Sequence, residues 1–144
     1  MNYKHTQIGY LIIYVLIVIA LLFVVILTQT GMNSLILVFM FFILFVVGSF
    51  TTLNVLVDKN YLRIKFGYGI FRKRFTLKEI ISAKIVKNHW YYGWGIRLWF
   101  WPYMWIFNVS GFDAVEIRMK NNKIYRIGTD EPKKLERVIS QVIK

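Results

Sequence analysis

Two apolar stretches decide the fold: Ile8–Leu27, IGYLIIYVLIVIALLFVVIL, and Leu35–Val57, LILVFMFFILFVVGSFTTLNVLV. Neither contains Asp, Glu, Lys, Arg or His. Each is at least as long as the roughly 20 residues that a helix needs to cross the hydrocarbon layer of a bilayer. A soluble protein of 144 residues could not bury two such segments. The sequence therefore predicts an integral membrane protein that begins with a helical hairpin.

The polar residues 28–34, TQTGMNS, predict a short turn between two antiparallel helices at about residues 8–27 and 35–51. The first apolar run is longer than the roughly 7–15 residues typical of a signal-peptide core, and no A-x-A-like cleavage site follows it. We therefore interpret the first stretch as a retained transmembrane helix. Residues 1–51 form the predicted hairpin, and residues 52–144 form the predicted C-terminal domain.

The distribution of basic residues predicts the orientation of the hairpin. The turn at 28–34 has no Lys or Arg, whereas Lys4 precedes the first helix and Lys59, Arg63 and Lys65 follow the second. By the positive-inside rule, both termini lie in the cytoplasm. The sequence thus predicts a two-span protein of the cell membrane with a cytoplasmic C-terminal domain.

This C-terminal domain is strongly basic. Eighteen of the 19 lysines and arginines follow residue 57, against all seven acidic residues, which gives a net charge of +11. A charge excess of this size indicates the kind of partner and not the fold. A basic domain tethered to a bilayer meets anionic phospholipid first. We therefore expect an anionic membrane surface as its partner, and not nucleic acid.

Short alternating segments predict a β domain after the hairpin. The uniform apolar run gives way to β-branched alternation near Thr51 or Thr52, and turn residues then separate about seven short strands, among them Tyr61–Phe66. Thr76 and Glu79 have the spacing of a capping box and predict one helical turn. From residue 132 the period becomes helical, with Pro132 in the first turn.

These elements define an α+β fold class. Four apolar residues of the last segment share one helix face: Leu135, Val138, Ile139 and Val142. We expect a small antiparallel β-barrel or sandwich of about seven strands, closed at one end by this C-terminal helix.

Several stretches resemble the bacterial pleckstrin-homology-like (PH-like) domains of small two-helix membrane proteins. They are Val57-Asp58 with Leu62-Arg63-Ile64, Trp90–Arg97, Phe107–Gly111 with Ala114–Ile117, and Tyr125–Pro132. The resemblance covers residues 55–143 and implies a PH-like fold and a membrane location. It implies no reaction, because the family is not known as catalytic. Some proteins of this kind resemble immunity or resistance factors against cationic bacteriocins.

Aromatic residues form the first group of candidate site residues. All five tryptophans lie between residues 90 and 105, and Trp and Tyr favour the headgroup level of a membrane. Strand alternation turns about half of these rings inward, so a core role stays open for the strand positions. One core cannot take every ring of residues 99–105, so part of this segment is exposed to lipid or a partner. The candidates are Trp90, Tyr91, Trp94, Trp99, Trp101 and Trp105.

Basic residues form the second group of candidates. Arg72, Lys73 and Arg74 are consecutive and near a predicted hairpin, and Lys84 and Lys87 follow closely in sequence. Each base near an anionic leaflet contributes about 1 kcal/mol to membrane attraction. We expect these five residues to contact lipid or a membrane partner.

The sequence gives no sign of catalysis or of a cofactor. The chain has no cysteine, its two histidines are far apart, and it contains no nucleotide-binding or nucleophile motif. We therefore predict a non-enzymatic protein without metal or cofactor. Three roles stay open: binding of the inner membrane surface or a membrane partner, self-immunity against a cationic membrane-active bacteriocin, and a regulatory or assembly subunit. Small residues at Gly48-Ser49 and Thr51-Thr52 allow close helix packing, so a homo-oligomer also stays open.

Overall fold

The computed structural model describes residues 2–101 and 103–143. Over these residues the chain forms three α-helices: α1 (Tyr10–Thr30), α2 (Ser34–Gly48) and α3 (Pro132–Val142). The same residues form nine strands: β1 (Tyr3–Ile8), β2 (Thr52–Val57), β3 (Tyr61–Phe66), β4 (Arg72–Thr76), β5 (Ile80–Lys87), β6 (Gly95–Phe100), β7 (Tyr103–Asn108), β8 (Asp113–Met119) and β9 (Ile124–Gly128). Two single 3-10 turns lie at Leu77–Glu79 and Trp90–Tyr92. The predicted α+β class is confirmed.

The two apolar helices differ in length. α1 is long and apolar enough to cross a membrane, and none of its residues is buried. α2 has 15 residues, which at 1.5 Å per residue is about 22 Å, less than the roughly 30 Å of a hydrocarbon core. The predicted helix over 35–51 is thus too long, and the length of α2 does not support a second span. α2 ends at Gly48 because the following apolar residues are used in the buried strand β2, as the predicted change near Thr52 indicated.

β1 is a strand that the sequence pattern did not predict. It pairs antiparallel with β2, from Tyr3 opposite Val57 to Ile8 opposite Thr52. Tyr3 is buried, and its hydroxyl donates to Glu131 Oε2 at 3.2 Å. Burial, and secondarily the Glu131 carboxylate, raises the pKa of the Tyr3 phenol. The residues before α1 therefore belong to the β domain and not to the hairpin.

The strands form two sheets. Sheet I has the order β1-β2-β3-β4 and is antiparallel throughout. Sheet II has the order β5-β8-β9-β7-β6 and is antiparallel except for the parallel pair β7 and β9. The prediction of about seven strands missed β1, and a wholly antiparallel arrangement is wrong at one pair. The reason is that the chain passes from β7 to β8 and then inserts β9 between them.

The hydrophobic core lies between the two sheets and under α3. Inward residues of β2 and β3, such as Leu53 and Phe66, are fully buried with Ile117 of β8. The rings of Phe75 on β4 and Tyr125 on β9 meet at a centroid distance of 4.7 Å. α3 covers this core with its predicted face, with Leu135, Val138 and Ile139 buried and Val142 partly buried.

Side chains play different parts at the β8–β9 turn, at the helical turn after Thr76 and at the start of α3. Asn122 has φ = 64° in the β8–β9 turn, a left-handed conformation that asparagine adopts more readily than most residues. A helical turn follows Thr76, but the Thr76 side chain makes no capping hydrogen bond. Before α3, Thr129 Oγ1 accepts the N–H of Glu131 at 3.0 Å, and Glu131 itself is the N-cap, without a side-chain capping hydrogen bond.

Both apolar helices meet sheet I at one end, which we call the junction end. β1 leads through Gly9 into α1, and α2 leads through residues 49–51 into β2. The N–H of Gly9 donates to the Thr51 carbonyl oxygen at 2.7 Å. The β3–β4 turn packs here as well, because Tyr68 stacks on Phe45 of α2 at 5.2 Å. At Gly67 (φ = +43°) a Cβ would lie only 2.5 Å from the Ser49 carbonyl oxygen, so glycine is required at this close approach.

Candidate functional site: a basic groove on sheet I

Strand alternation sorts the residues of sheet I into an inner and an outer face. Because Val55 and Ile64 point into the core, their neighbours in sequence point away from it. Strand register then aligns the outer residues in two cross-strand rows. The first row is Thr6, Asn54, Lys65 and Arg72, and the second row is Lys4, Leu56, Arg63 and Arg74.

The two rows enclose a groove with a volume of about 670 Å³, which we call the basic groove. Its lining residues are Lys4, Asn54, Leu56, Arg63, Ile64, Lys65, Arg72, Lys73 and Arg74. Six of these nine residues are basic and none is acidic. The volume is in the range of small-molecule sites, and the charge selects an anion.

The arginines of the second row are held in place by their neighbours. Arg63 Nη2 lies 3.1 Å from Asp58 Oδ2. Backbone N–H groups of Asn60 and Tyr61 donate to Asp58 Oδ1 at 2.8 Å each. These bonds, and more weakly Arg63, lower the pKa of Asp58. The guanidinium carbons of Arg63 and Arg74 lie 5.5 and 4.8 Å from the ring centroid of Tyr61, within cation–π distance.

The remaining cations of the groove lack carboxylate partners. Among the residues that the structure describes, Lys4, Lys65, Arg72 and Arg74 take part in no ion pair. All four are exposed. The groove therefore presents a positive potential that protein groups do not neutralise.

The groove begins close to the apolar helices. Its first row lies two residues along the strands from Ile8 and Thr52, where sheet I meets the helices. At about 3.4 Å per residue, this separation is about 7 Å. The cations at Lys65 and Arg72 are therefore near the level at which α1 begins.

Three of the five predicted basic residues border the groove, but not in the same way. Arg72 and Arg74 point into it from the edge strand β4. Lys73 lies on the opposite face of β4, where its Nζ is 5.9 Å from the centroid of the Tyr125 ring. The sequence run thus contributes two groove cations and one residue at its border.

Lys84 and Lys87 lie elsewhere, on β5 of sheet II. Lys84 Nζ is 3.5 Å from Glu116 Oε1, and Lys87 is the register partner of Asp113. The structure therefore does not bring these two lysines together with Arg72 and Arg74. The reason is that the turn at Leu77–Glu79 carries the chain from one sheet to the other.

Part of the outer face of sheet II is covered by the segment around Tyr92. Tyr92 is buried and packs with Met104 and Ile106 in a second apolar cluster. Beneath it, Arg126 Nε donates to Glu116 Oε2 at 2.9 Å, and Arg126 Nη1 donates to Asn88 Oδ1 at 3.4 Å. The Arg126–Glu116 pair is therefore shielded from solvent, in contrast to the cations of the basic groove.

The predicted aromatic residues divide into exposed and packed groups. Trp90 is 75% exposed and Trp101 is 91% exposed, and Tyr91 is about half exposed. Trp94, Trp99 and Trp105 are partly buried. Trp105 packs against the main core, and Trp99 packs against the cluster of Tyr92. Both roles that the sequence left open thus occur, at different positions.

A further set of exposed aromatic residues lies at the β6–β7 turn of sheet II. Phe100, Trp101 and Tyr103 form the β6–β7 turn, which we call the aromatic tip. β6 starts at Gly95, beside the ring of Phe50 at the junction end. Six strand residues separate that end from the tip, a distance of about 20 Å. The tip therefore lies at the end of sheet II that is remote from the helices.

Sequence reasoning missed two groups of residues at the site. Lys4 joins the groove only through the unpredicted strand β1, and the positions of Arg63 and Lys65 beside Arg74 and Arg72 depend on register. Tyr68, Ile70 and Phe71 of the β3–β4 turn are exposed apolar residues at the junction end. Their apolar character in a turn was the available signal, since turns are ordinarily polar.

Comparisons with known proteins do not assign the chain to a family. No protein-family model matches the chain, and a search of curated proteins finds no significant similarity. In the described residues, no three His, Asp or Glu side chains are grouped so that they could hold a metal ion.

Proposed function

We propose that this protein is a non-enzymatic membrane protein whose β domain lies on the bilayer surface and binds anionic phospholipid headgroups through the basic groove. The observation that carries the proposal is the position of the groove on the strands that continue into α1 and α2. Cations near the point of membrane entry act within the reach of the leaflet's surface potential. The assignment of the β domain to the PH-like family stays a prediction.

The path of the chain supports a membrane hairpin with both ends on one side. β1 and β2 are hydrogen-bonded neighbours, so the chain leaves sheet I beside Ile8 and returns beside Thr52 at the same end. If α1 crosses the bilayer, α2 has to bring the chain back. Its length of about 22 Å requires local thinning of the bilayer or snorkelling of the residues that flank it, each at modest cost. The positive-inside rule then places the β domain in the cytoplasm.

The β3–β4 turn supports the seating of the domain on the membrane. Tyr68 and Ile70 are 59% and 54% exposed, and Tyr68 stacks on α2. A tyrosine at the end of an apolar helix suits the interfacial layer, where the ring contacts acyl chains and the hydroxyl contacts headgroups. The turn would then hold sheet I close to the phosphates.

Lysine footprinting of the full chain tests this proposal. The protein is placed in nanodiscs of phosphatidylcholine with or without phosphatidylglycerol, and amine acylation is read at each lysine by mass spectrometry. We expect anionic lipid to protect Lys65 in the groove but not Lys123, an exposed lysine in the β8–β9 turn that serves as the internal control. Protection should weaken in concentrated salt, which screens exposed charges. Equal acylation of Lys65 in both nanodiscs would refute the lipid role.

Cysteine labelling tests the hairpin. Because the chain has no cysteine, single substitutions can be labelled without background. With both ends in the cytoplasm, Asn33→Cys in the α1–α2 loop should react with an impermeant maleimide on intact cells, and Lys123→Cys only after lysis. Labelling of Asn33→Cys only from the cytoplasmic side would show that the helices enter and leave by the same leaflet.

A second candidate function is docking of a larger membrane partner as a regulatory or assembly subunit. The aromatic tip favours it, because Trp101 is 91% exposed at the end of the domain remote from the helices. Trp101→Ala should then lose a partner that the wild-type chain retains after mild detergent extraction and affinity purification. The self-immunity hypothesis stays a prediction, to be tested by protection of sensitive cells against a panel of cationic peptides.

A further inference from the structure

The charge and geometry of the basic groove point to a ligand that carries two phosphate groups, and not to a diffuse layer of singly charged lipids. This inference rests on the proposed function and makes its ligand specific. The shared chemistry is a bisphosphate, either as a lipid headgroup such as that of cardiolipin or as a soluble metabolite. Three features of the groove support it.

The first feature is the amount of uncompensated charge. Within residues 2–101 and 103–143, Arg63 alone among the six basic residues that line the groove has a carboxylate partner. A phosphodiester headgroup brings a single negative charge and would leave most of the remaining cations facing one another. Like charges a few ångströms apart repel. This repulsion becomes stronger when a bound ligand displaces water from around the cations. Two phosphates in the groove neutralise more of the charge with a single ligand.

The second feature is the division of the cations into two rows. Arg63 and Arg74 of the second row lie beside the Tyr61 ring, while Lys65 and Arg72 form the first row. The rows are two residues apart, which corresponds to about 7 Å. Guanidinium groups bind phosphate oxygens in a forked geometry that lysine cannot supply. Each row can therefore hold one phosphate.

The third feature is the neutral centre of the groove. Leu56 lies between Lys4 and Arg63 in the second row, and Asn54 lies between Thr6 and Lys65 in the first. The Thr6 hydroxyl donates to Asn54 Oδ1, which leaves the Asn54 amide N–H groups free to donate to a phosphate oxygen. Leu56 provides an apolar surface for the carbon linker of a bisphosphate.

The test compares lipids of equal phosphate content. Full-length protein in phosphatidylcholine nanodiscs receives either cardiolipin or phosphatidylglycerol, and acylation of Lys65 is measured at increasing anionic fraction. We expect half-protection at about tenfold less lipid phosphate with cardiolipin, because one ligand engages both rows. A soluble arm uses pure phosphatidylcholine nanodiscs with glycerol 1,3-bisphosphate or glycerol 3-phosphate.

Conservative variants separate recognition of two phosphates from general attraction. Arg63→Lys with Arg74→Lys keeps the charge but removes the forked donors, so the preference for cardiolipin should be lost while protection by phosphatidylglycerol persists. Arg72→Lys is a second variant that leaves the Asp58–Arg63 pair intact and should reduce the preference. Arg118→Lys with Arg137→Lys, outside the groove lining, is the matched control.

The outcomes are distinct. Stronger protection by cardiolipin supports a lipid ligand, and protection by the soluble bisphosphate but not by glycerol 3-phosphate supports a soluble one. Equal protection by both lipids together with no effect of the bisphosphate overturns the inference, and so does a preference that survives the arginine replacements. The proposed function fails separately, if phosphatidylglycerol gives no protection over phosphatidylcholine alone.

Discussion

The outer faces of the two sheets carry similar residues but differ in what surrounds them. On sheet II, Arg126 is paired with Glu116 and covered by Tyr92. On sheet I, Lys65, Arg72 and Arg74 have no carboxylate partner and nothing covers them in the described part of the chain. Basic residues on a β-sheet are thus structural where a partner and a covering segment are supplied, and are available for a ligand where they are not.

Arg126 on sheet II and Arg74 on sheet I thus occupy two different environments, one largely buried and paired, the other exposed and, within the described residues, without an ion pair. A buried charge is tolerated only when it is paired and hydrogen-bonded, and Arg126 meets this condition through Glu116 and Asn88. An exposed charge contributes little to stability. The groove cations are therefore not required for folding and are available for binding. Substitutions on the two faces should therefore have opposite signatures.

The largest effect on stability is expected for Arg126→Ala. Glu116 is only 8% exposed, and loss of Arg126 leaves it with the exposed Lys84 alone. We expect the free energy of unfolding to fall by about 3 kcal/mol, measured by denaturant titration of the detergent-solubilised chain with tryptophan fluorescence. Arg74→Ala in the groove is the matched control and should cost about 0.5 kcal/mol or less. Similar losses in both variants would remove the contrast between the faces.

The cover of sheet II should matter next. Tyr92→Ala removes a ring that is 7% exposed from the cluster with Met104 and Ile106, and we expect a loss of about 2 kcal/mol. Trp90, two residues earlier in the same turn, is largely exposed, so Trp90→Ala should leave the unfolding midpoint nearly unchanged. A larger effect at Trp90 than at Tyr92 would show that the covering segment is held differently.

Removing charge from the groove should change binding without changing stability. For Lys65→Gln with Arg72→Gln we expect about 30-fold weaker response to phosphatidylglycerol, since each of the two bases near the leaflet is worth about 1 kcal/mol. Lys4, which remains in the groove, reports the response by acylation in nanodiscs. Lys120→Gln with Lys123→Gln, in the β8–β9 turn, removes the same charge and should retain the response.

The smallest effect is expected in the pH dependence of thermal stability, through Asp58, the ion-pair partner of Arg63 in the groove. Because backbone N–H groups and Arg63 lower the pKa of Asp58 in the folded chain, ionised Asp58 stabilises the fold above its ordinary pKa of 3.8. That contribution is lost as the pH falls through the lower folded pKa. Thermal unfolding of Asp58→Asn and wild type should therefore differ near neutral pH and converge below about pH 4. A difference that is independent of pH would assign the effect to hydrogen-bond geometry alone.

Much of the fold was predictable because its signals are local. The alternation of Tyr61–Phe66 gave β3 with its bounds, and the spacing of Leu135, Val138 and Ile139 gave the buried face of α3. β1 was not predictable in this way, since its six residues become a strand only through pairing with β2, more than 40 residues later. The shortness of α2 has the same origin, because the inner residues Leu53, Val55 and Val57 are required by the core.

The candidate site was predictable only in part. The run of Arg72 to Arg74 is visible in the sequence, yet its partners Arg63, Lys65 and Lys4 join it through the register of three strand pairs. Lys84 and Lys87 are close to that run in sequence but lie on the other sheet, and Lys84 is paired with Glu116. Sequence proximity could not separate the unpaired cations from the paired ones.

The sequence by itself determined an apolar helix able to cross a membrane, an α+β domain after it, and a large excess of positive charge, because hydropathy, periodicity and net charge are sums over neighbouring residues. The tertiary structure alone decided which cations stay unpaired, which aromatic rings stay exposed, and at which end of the sheets the helices begin. The physical reason is that neutralisation and burial depend on contacts between distant residues, such as Lys4 beside Leu56 and Arg126 beside Glu116.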